Sequence, residues 1–231
     1  LGDVYKRQII ILAIILFIVV FIIYLQDGER RIPVQYSKKV VGRKLVGGST
    51  SSIPLKVNTA GVMPIIFASS IMSVPGIVVA FLGKTPGGIP GHILATLSSS
   101  NWCKPSQPVY SIGLLIYIFL VVFFAYFYTS ITFNPLEVAD NMKKQGGFIP
   151  GIRPGKPTSE YLNKILNNVI FIGAVGLIVV AIIPILGSGI FGVNVSFGGT
   201  SLIIVVGVVL ETLKQIESLM LVRHYKGFLN D

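Results

Sequence analysis

Phe133-Asn134-Pro135-Leu136-Glu137-Val138-Ala139-Asp140-Asn141 opens a polar stretch that reaches Asn163. Within it stands Gly146-Gly147-Phe148-Ile149-Pro150-Gly151-Ile152-Arg153-Pro154-Gly155. Long apolar sequence flanks it, Tyr110–Thr132 before and Ile165–Leu186 after. A matching polar stretch, Gln26–Thr59, lies between the apolar runs Ile9–Leu25 and Ala60–Leu82, and Thr200–Val222 is a fifth such run. No soluble core needs so many long apolar segments. The expected fold is an all-α integral membrane protein with five transmembrane helices, and the two basic polar stretches are where partners must dock.

Composition agrees. Of 231 residues, 52% are hydrophobic and 12% charged, and the mean hydropathy is +0.79. Soluble domains carry about 25% charged residues. The net charge of +10 marks cytoplasmic loops in a membrane protein rather than a nucleic-acid groove. A single cysteine, Cys103, excludes an internal disulfide and a cysteine metal cluster. Ile9–Leu25 spans about 26 Å at a rise of about 1.5 Å per residue, slightly short of the roughly 30 Å hydrocarbon core.

Charge sets the expected orientation. Loop Gln26–Thr59 holds Arg30, Arg31, Lys38, Lys39, Arg43, Lys44 and Lys56. Loop Phe133–Lys164 holds Lys143, Lys144, Arg153, Lys156 and Lys164, and the tail adds Arg223 and Lys226. The opposite side has only Lys84 and Lys104, in loop Gly83–Val109, and none in Gly187–Gly199. The positive-inside rule places the first group in the cytoplasm. Ile9 then starts outside and the C-terminus is cytoplasmic. Lys6 and Arg7 sit on the wrong side of this arrangement. The expectation is that residues 1–8 are a non-native leader or have lost their context, a tolerated exception being the alternative. The chain also begins with Leu1 rather than Met, so a fragment is expected.

Gln26–Thr59 is too long for a simple connector. Arg31-Ile32-Pro33-Val34-Gln35-Tyr36 and Ile53-Pro54-Leu55-Lys56-Val57 alternate polar and apolar residues, with Gly47-Gly48-Ser49-Thr50 between them. These are expected to be two short strands in a protruding hairpin, edge-like because of their prolines. The second apolar run carries Gly61, Pro64, Ser69, Ser70, Ser73, Pro75 and Gly76. Asn58 is its candidate N-cap. Pro64 costs little near the start, whereas Pro75 should kink or end the helix. Small residues suit either a tightly packed interior helix or one that slides. In the fifth run Glu211, Lys214 and Glu217 follow at spacings of three. That helix either faces a water-filled cavity or leaves the membrane there, with Glu211 and Lys214 paired.

Catalytic signatures are missing: the sequence contains no HExxH, GxSxG, P-loop or CxxC. Only Glu211 and Lys214 are candidates for ionisable groups at membrane depth. The chain is expected to do no bond-breaking chemistry and to need no metal or cofactor.

Three separated blocks, in order, resemble the SecY family, the channel subunits of the bacterial Sec protein translocase. The first is Gly28-Glu29-Arg30-Arg31-Ile32-Pro33-Val34-Gln35-Tyr36-Ser37-Lys38-Lys39, followed by Ile53 through Ser70 with Asn58-Thr59-Ala60-Gly61-Val62-Met63-Pro64 inside it. The second is Phe133-Asn134-Pro135 through Gly151-Ile152-Arg153-Pro154-Gly155, and the third is Gly198-Gly199-Thr200-Ser201-Leu202-Ile203-Ile204-Val205-Val206. The resemblance runs from about Ile9 to the end and looks like spans six to ten of ten. It implies one half of a pseudo-symmetric ten-helix channel, carrying a long cytosolic hairpin-like loop, in the bacterial cell membrane.

The resemblance also implies roles. Ile66 and Ile204 match positions in a pore constriction of apolar side chains, where isoleucine would dewet the waist without holding a passing chain. Without the family they would read as ordinary lipid- or core-facing residues. The second and third spans look like one wall of a lateral gate, and Ser69, Ser70, Ser73 and Pro75 suit a wall that must shift. Arg30 and Arg31 match the tip of the first loop and Arg153 a loop arginine important for driving translocation. All three are expected to dock the SecA motor ATPase or the ribosome, whose RNA phosphates attract basic tips. The positive-inside rule alone would also account for Arg30 and Arg31. Other implied partners are SecE and SecG subunits, signal peptides, nascent chains and membrane lipid. The family's first five spans, with its plug and opposite gate wall, have no counterpart here. Rival readings are half of a secondary transporter, for which ion ligands are lacking, and a scaffold that only recruits ribosomes.

Overall fold

In the computed structural model, residues 2–37, 39–41, 44–46, 48, 50–83, 87–98, 101–102, 108–191 and 199–227 are described. The apolar runs fold as helices. They are α1 (Gly2–Asp27), α2 (Met63–Leu82), α4 (Ile112–Thr132), α6 (Lys156–Phe191) and α7 (Gly199–Gly227). Between them lie α3 (Ile89–Leu97), a 3-10 turn (Pro108–Ser111) and α5 (Pro135–Lys144). Five short strands complete the chain: β1 (Glu29–Tyr36), β2 (Lys39–Val41), β3 (Lys44–Val46), β4 (Thr50–Lys56) and β5 (Gly147–Phe148). Among the described residues, three helical segments are long and apolar enough to cross a membrane: Met63–Leu82, Pro108–Lys144 and Lys156–Leu186. Cys103, Lys84, Lys104 and most of the Gly187–Gly199 loop lie outside the described residues.

Several boundaries differ from expectation for physical reasons. α2 starts at Met63, so Asn58 is not its N-cap. Asn58 instead lies buried in a preceding turn, and its carbonyl accepts from the Gly61 amide at 3.3 Å. Gly61 has φ +63°, a conformation that would strain any side chain. Pro75 does not end α2, which continues seven residues further to Leu82. α6 begins at Lys156, well before the apolar run at Ile165. Its leading turns are amphipathic, burying Leu162, Ile165, Leu166 and Val169 on one face at helical spacing.

The chain divides into two units. The first comprises residues 1–24, 75–114 and 179–231. In it Trp102 is buried and donates its indole Nε1–H to the Thr96 carbonyl at 2.7 Å. Asn101 donates its side-chain amide to the Ala95 carbonyl at 3.1 Å. Gly113 passes so close to Thr96 and Trp102 that a β-carbon has no room there.

The second unit comprises residues 25–74 and 115–178. Here the two stretches expected as separate loops fold into one body. β1 and β4 pair antiparallel from Glu29↔Lys56 to Gln35↔Thr50, the expected hairpin with slightly longer arms. β2 and β3 form a second small ladder beyond it. β5, from the other polar stretch, pairs with the far end of β1 through Gln35↔Phe148 and Tyr36↔Gly147. The sheet order is β4-β1-β5, so β1 is interior there rather than an edge. Pro33 escapes conflict because β5 reaches only Gln35 and Tyr36. Alternation puts Ile32, Val34 and Leu55 on one face. They pack with Met142 of α5, Ile149, and Leu162, Ile165 and Val169 of α6 in a single apolar core. A neighbouring core joins Ala125 of α4 to Leu166, Ile170 and Ala174 of α6.

Candidate functional site

Two parts of the second unit carry most of the residues singled out by sequence. The first is the mixed sheet body. Arg30, Arg31 and Arg153 are exposed, and Arg43 lies outside the described residues. Arg30 stands on the same face of β1 as Ile32 and Val34, but beyond the end of the buried core. Arg31 points to the opposite face with Glu29, and the two form an ion pair at 2.6 Å. With Arg31 at 72% exposure this pair contributes at most about 1 kcal/mol. Arg30 and Arg31 pair with Leu55 and Pro54, at the open end of the β1–β4 ladder. They are therefore not at the tip of the hairpin. The chain reverses between Val41 and Lys44, the last pair of the β2–β3 ladder. The sequence reading missed this because β2 and β3, three residues each, are too short to leave a pattern.

Arg153 occupies a tightly built turn. Ile152 donates its amide to the Ile149 carbonyl at 3.0 Å, and Gly151 and Gly155 adopt φ of +84° and +103°. The buried Thr158 hydroxyl donates to the Arg153 carbonyl at 2.8 Å. Thr158 and Ser159 amides both donate to the Gly155 carbonyl, at 3.0 and 3.2 Å. The backbone under Arg153 is thus fixed while its side chain stays exposed. This turn joins β5 to α6, so Arg30, Arg31 and Arg153 share one folded body.

The second part is the α2–α4 pair. Ile66 is half-buried between the fully buried Ile65 and its neighbour Phe67, with Ala68 also fully buried. Phe67 is 40% exposed and stacks on Phe124 of α4 at 5.6 Å between ring centroids. Its ring also meets Tyr128 at 5.4 Å. Each such aromatic pair contributes about 0.5–1.5 kcal/mol beyond area burial. Sequence reasoning overlooked Phe67, although Phe124 and Tyr128 stand at i,i+4 spacing and so mark one face of α4.

The serines of α2 turn their hydroxyls onto their own helix. Ser69 and Ser70 both donate to the Ile66 carbonyl, at 3.0 and 2.7 Å, and Ser73 donates to the Ser69 carbonyl at 2.8 Å. A polar side chain satisfied this way needs no partner elsewhere and can bend the helix slightly. Pro75 follows on the same helix and falls in the other unit. So does Ile204, which is 38% exposed on α7 beside the buried Ile203. Further along α7, Glu211, Lys214 and Glu217 are exposed.

Comparison with known proteins follows the same outline. A family model described as SecY matches residues 4–213. The protein translocase subunit SecY of Streptomyces scabiei is 47% identical over 222 residues, covering 95% of this chain and 49% of the relative. Its counterpart in Streptomyces coelicolor is 48% identical, with 93% and 47% covered. That of Mycobacterium leprae is 45% identical, with 93% and 49% covered. The chain spans about half the length of the curated relatives it matches. Two solved structures share the fold. One reports that the plug domain of the SecY protein stabilises the closed state of the translocation channel (TM-score 0.59, 21% identity, 90% of this chain and 49% of that one). The other is the structure of a protein conducting channel (TM-score 0.56, 18% identity, 90% and 48% covered).

Proposed function

We propose, for a chain that belongs to the SecY family, that it forms one half of a protein-conducting channel. The channel passes unfolded secretory proteins across the bacterial cell membrane and releases apolar segments sideways into lipid. The observation that carries this reading is the surface around Ile66. Its side chain is half open, and the nearest hydroxyls are bonded back to its own carbonyl. Such a surface offers a passing chain apolar contact while the Ser69 and Ser70 hydroxyl protons are already engaged, which suits a constriction that must seal without sticking. Ile204 serves the same constriction from α7.

In this account the bodies of α1, α2, α4, α6 and α7 are the five spans. The sheet body faces the cytoplasm, and residue 9 starts outside. Arg30, Arg31 and Arg153 dock the SecA motor or the ribosome, while SecE and SecG subunits complete the complex. α2 and α4, joined through Phe67, form a gate wall in which Ser69, Ser70, Ser73 and Pro75 soften the helix.

The test uses Ile66→Asn and Ile204→Asn in a chain extended to the full length of its relatives. Either change places a carboxamide in the constriction, wets it and should raise ion leakage across reconstituted vesicles. Unchanged leakage and unchanged export in both variants would favour a scaffold that only recruits ribosomes.

A further inference from the structure

A groove of about 500 Å³ opens between α4 and α6 within the second unit. Its walls are graded. Phe119, Phe123 and Phe127 of α4, at i,i+4 spacing, face it together with Leu166 and Ile170 of α6. Its other end is lined by Ser130, Asn134, Asn163 and Asn167. From Phe119 to Ser130 the apolar wall runs roughly 16 Å at the α-helical rise.

The polar end has a defined chemistry. Asn134 caps α5 and its Oδ1 accepts from the Leu136 amide at 3.2 Å. That bond fixes the side chain by one lone pair of its oxygen and leaves the Asn134 NH2 to donate. Asn163 and Asn167 follow one another at i,i+4 on α6, both exposed, and add further amide donors. No carboxylate lines the groove. α4 ends at Thr132 and the polar sheet body follows. The amide rim therefore stands where a membrane-spanning pair of helices meets its polar end, at headgroup level.

We infer that this groove holds a single glycerophospholipid, with an acyl chain along the Phe119–Phe127 stripe and phosphate and ester oxygens on the asparagine rim. Amide NH2 donors at one end and aromatic rings at the other match that amphiphile in polarity and in order. The assignment rests on the membrane placement of α4 and α6 and is independent of conduction.

The experiment places the 231-residue chain in nanodiscs of phosphatidylethanolamine and phosphatidylglycerol. A trace of phosphatidylglycerol with a diazirine near the end of one acyl chain is added and irradiated. Labelling should concentrate on residues 119–127 and 166–170, on the order of tenfold above the exposed apolar residues Val208 and Val209 of α7. Ser130→Trp, which fills the groove, should remove that excess and leave labelling at Val208 unchanged. Asn163→Leu with Asn167→Leu, both at exposed positions, provides a second variant that spares the core and should likewise reduce the excess. Even labelling of all exposed apolar faces would mean ordinary annular lipid and overturn the assignment. So would an excess that survives both variants, or a groove covered by a second copy of the chain.

Discussion

Ser37 donates both its backbone amide and its hydroxyl to the carbonyl oxygen of Gly146, at 3.0 and 3.1 Å, across 109 residues of sequence. This contact closes the corner where β1 meets β5. It joins the two polar stretches into one body and so puts all three candidate docking arginines on a common frame. An isolated hairpin is marginally stable at best, whereas a sheet packed on helices holds its shape. A docking surface needs that rigidity.

Gly146 sits at φ +72°, and a β-carbon there would lie 2.9 Å from the Ser37 hydroxyl oxygen. Gly146→Ala is expected to cost about 1–2 kcal/mol of local stability from the left-handed backbone alone. Hydrogen exchange at Gln35–Ser37 and Phe148 should rise accordingly, while exchange in α4 stays the same. Unchanged protection would mean that the corner does not hold the two stretches together.

Phe67 links α2 to α4 through Phe124 and Tyr128. Phe67→Ala removes both ring contacts, for a loss of roughly 1–3 kcal/mol of helix-pair stability. Under the gate-wall reading, signal-peptide stringency of the extended chain falls as well. Thermal unfolding in detergent reports the first effect, and export of a signal-less substrate the second. A fall in stability with stringency intact would leave Phe67 a packing residue only.

Arg153 has an exposed side chain on a backbone fixed by Thr158, so its charge can be changed without disturbing the turn. Arg153→Glu is expected to impair motor-driven export by on the order of tenfold or more, equivalent to losing about 1.4 kcal/mol of binding. Membrane insertion of the subunit should be normal. Arg31→Glu should do less, because Arg31 is already paired with Glu29 and the new carboxylate adds one like-charge contact at a solvated site. Normal export by the Arg153 variant would remove the docking role.

The helical membrane architecture was legible because an apolar run of this length has few other uses. The first hairpin was legible too, since Ile32, Val34 and Leu55 alternate with polar neighbours. Three things were not. β5 is two residues long and owes its existence to β1, far away in sequence, so no local pattern announces it. The start of α6 was hidden because Lys156–Asn163 looks polar on average, although Leu162 and Ile165 already keep the helical period. Asn58 looked like a cap, but Gly61 turns the chain before the helix can begin. At the site, run composition pointed to the serines and Pro75, and Ile66 came from the family resemblance alone. Neither could tell that the hydroxyls of Ser69 and Ser70 would close onto the Ile66 carbonyl, because that depends on rotamers. Arg30 and Arg31 were placed at a tip by the resemblance alone, although the alternation that opens at Arg31 already set them at the start of the first strand.

The central claim is that Ile66 lines the path of a translocating chain. The most direct measurement puts a photo-crosslinker at position 66 of a chain extended to its relatives' full length, with a secretory protein stalled midway through export. The account predicts a crosslink to the stalled protein that disappears when the motor or ribosome is withheld. A properly inserted and assembled subunit that labels only lipid or neighbouring helices from position 66 would contradict it.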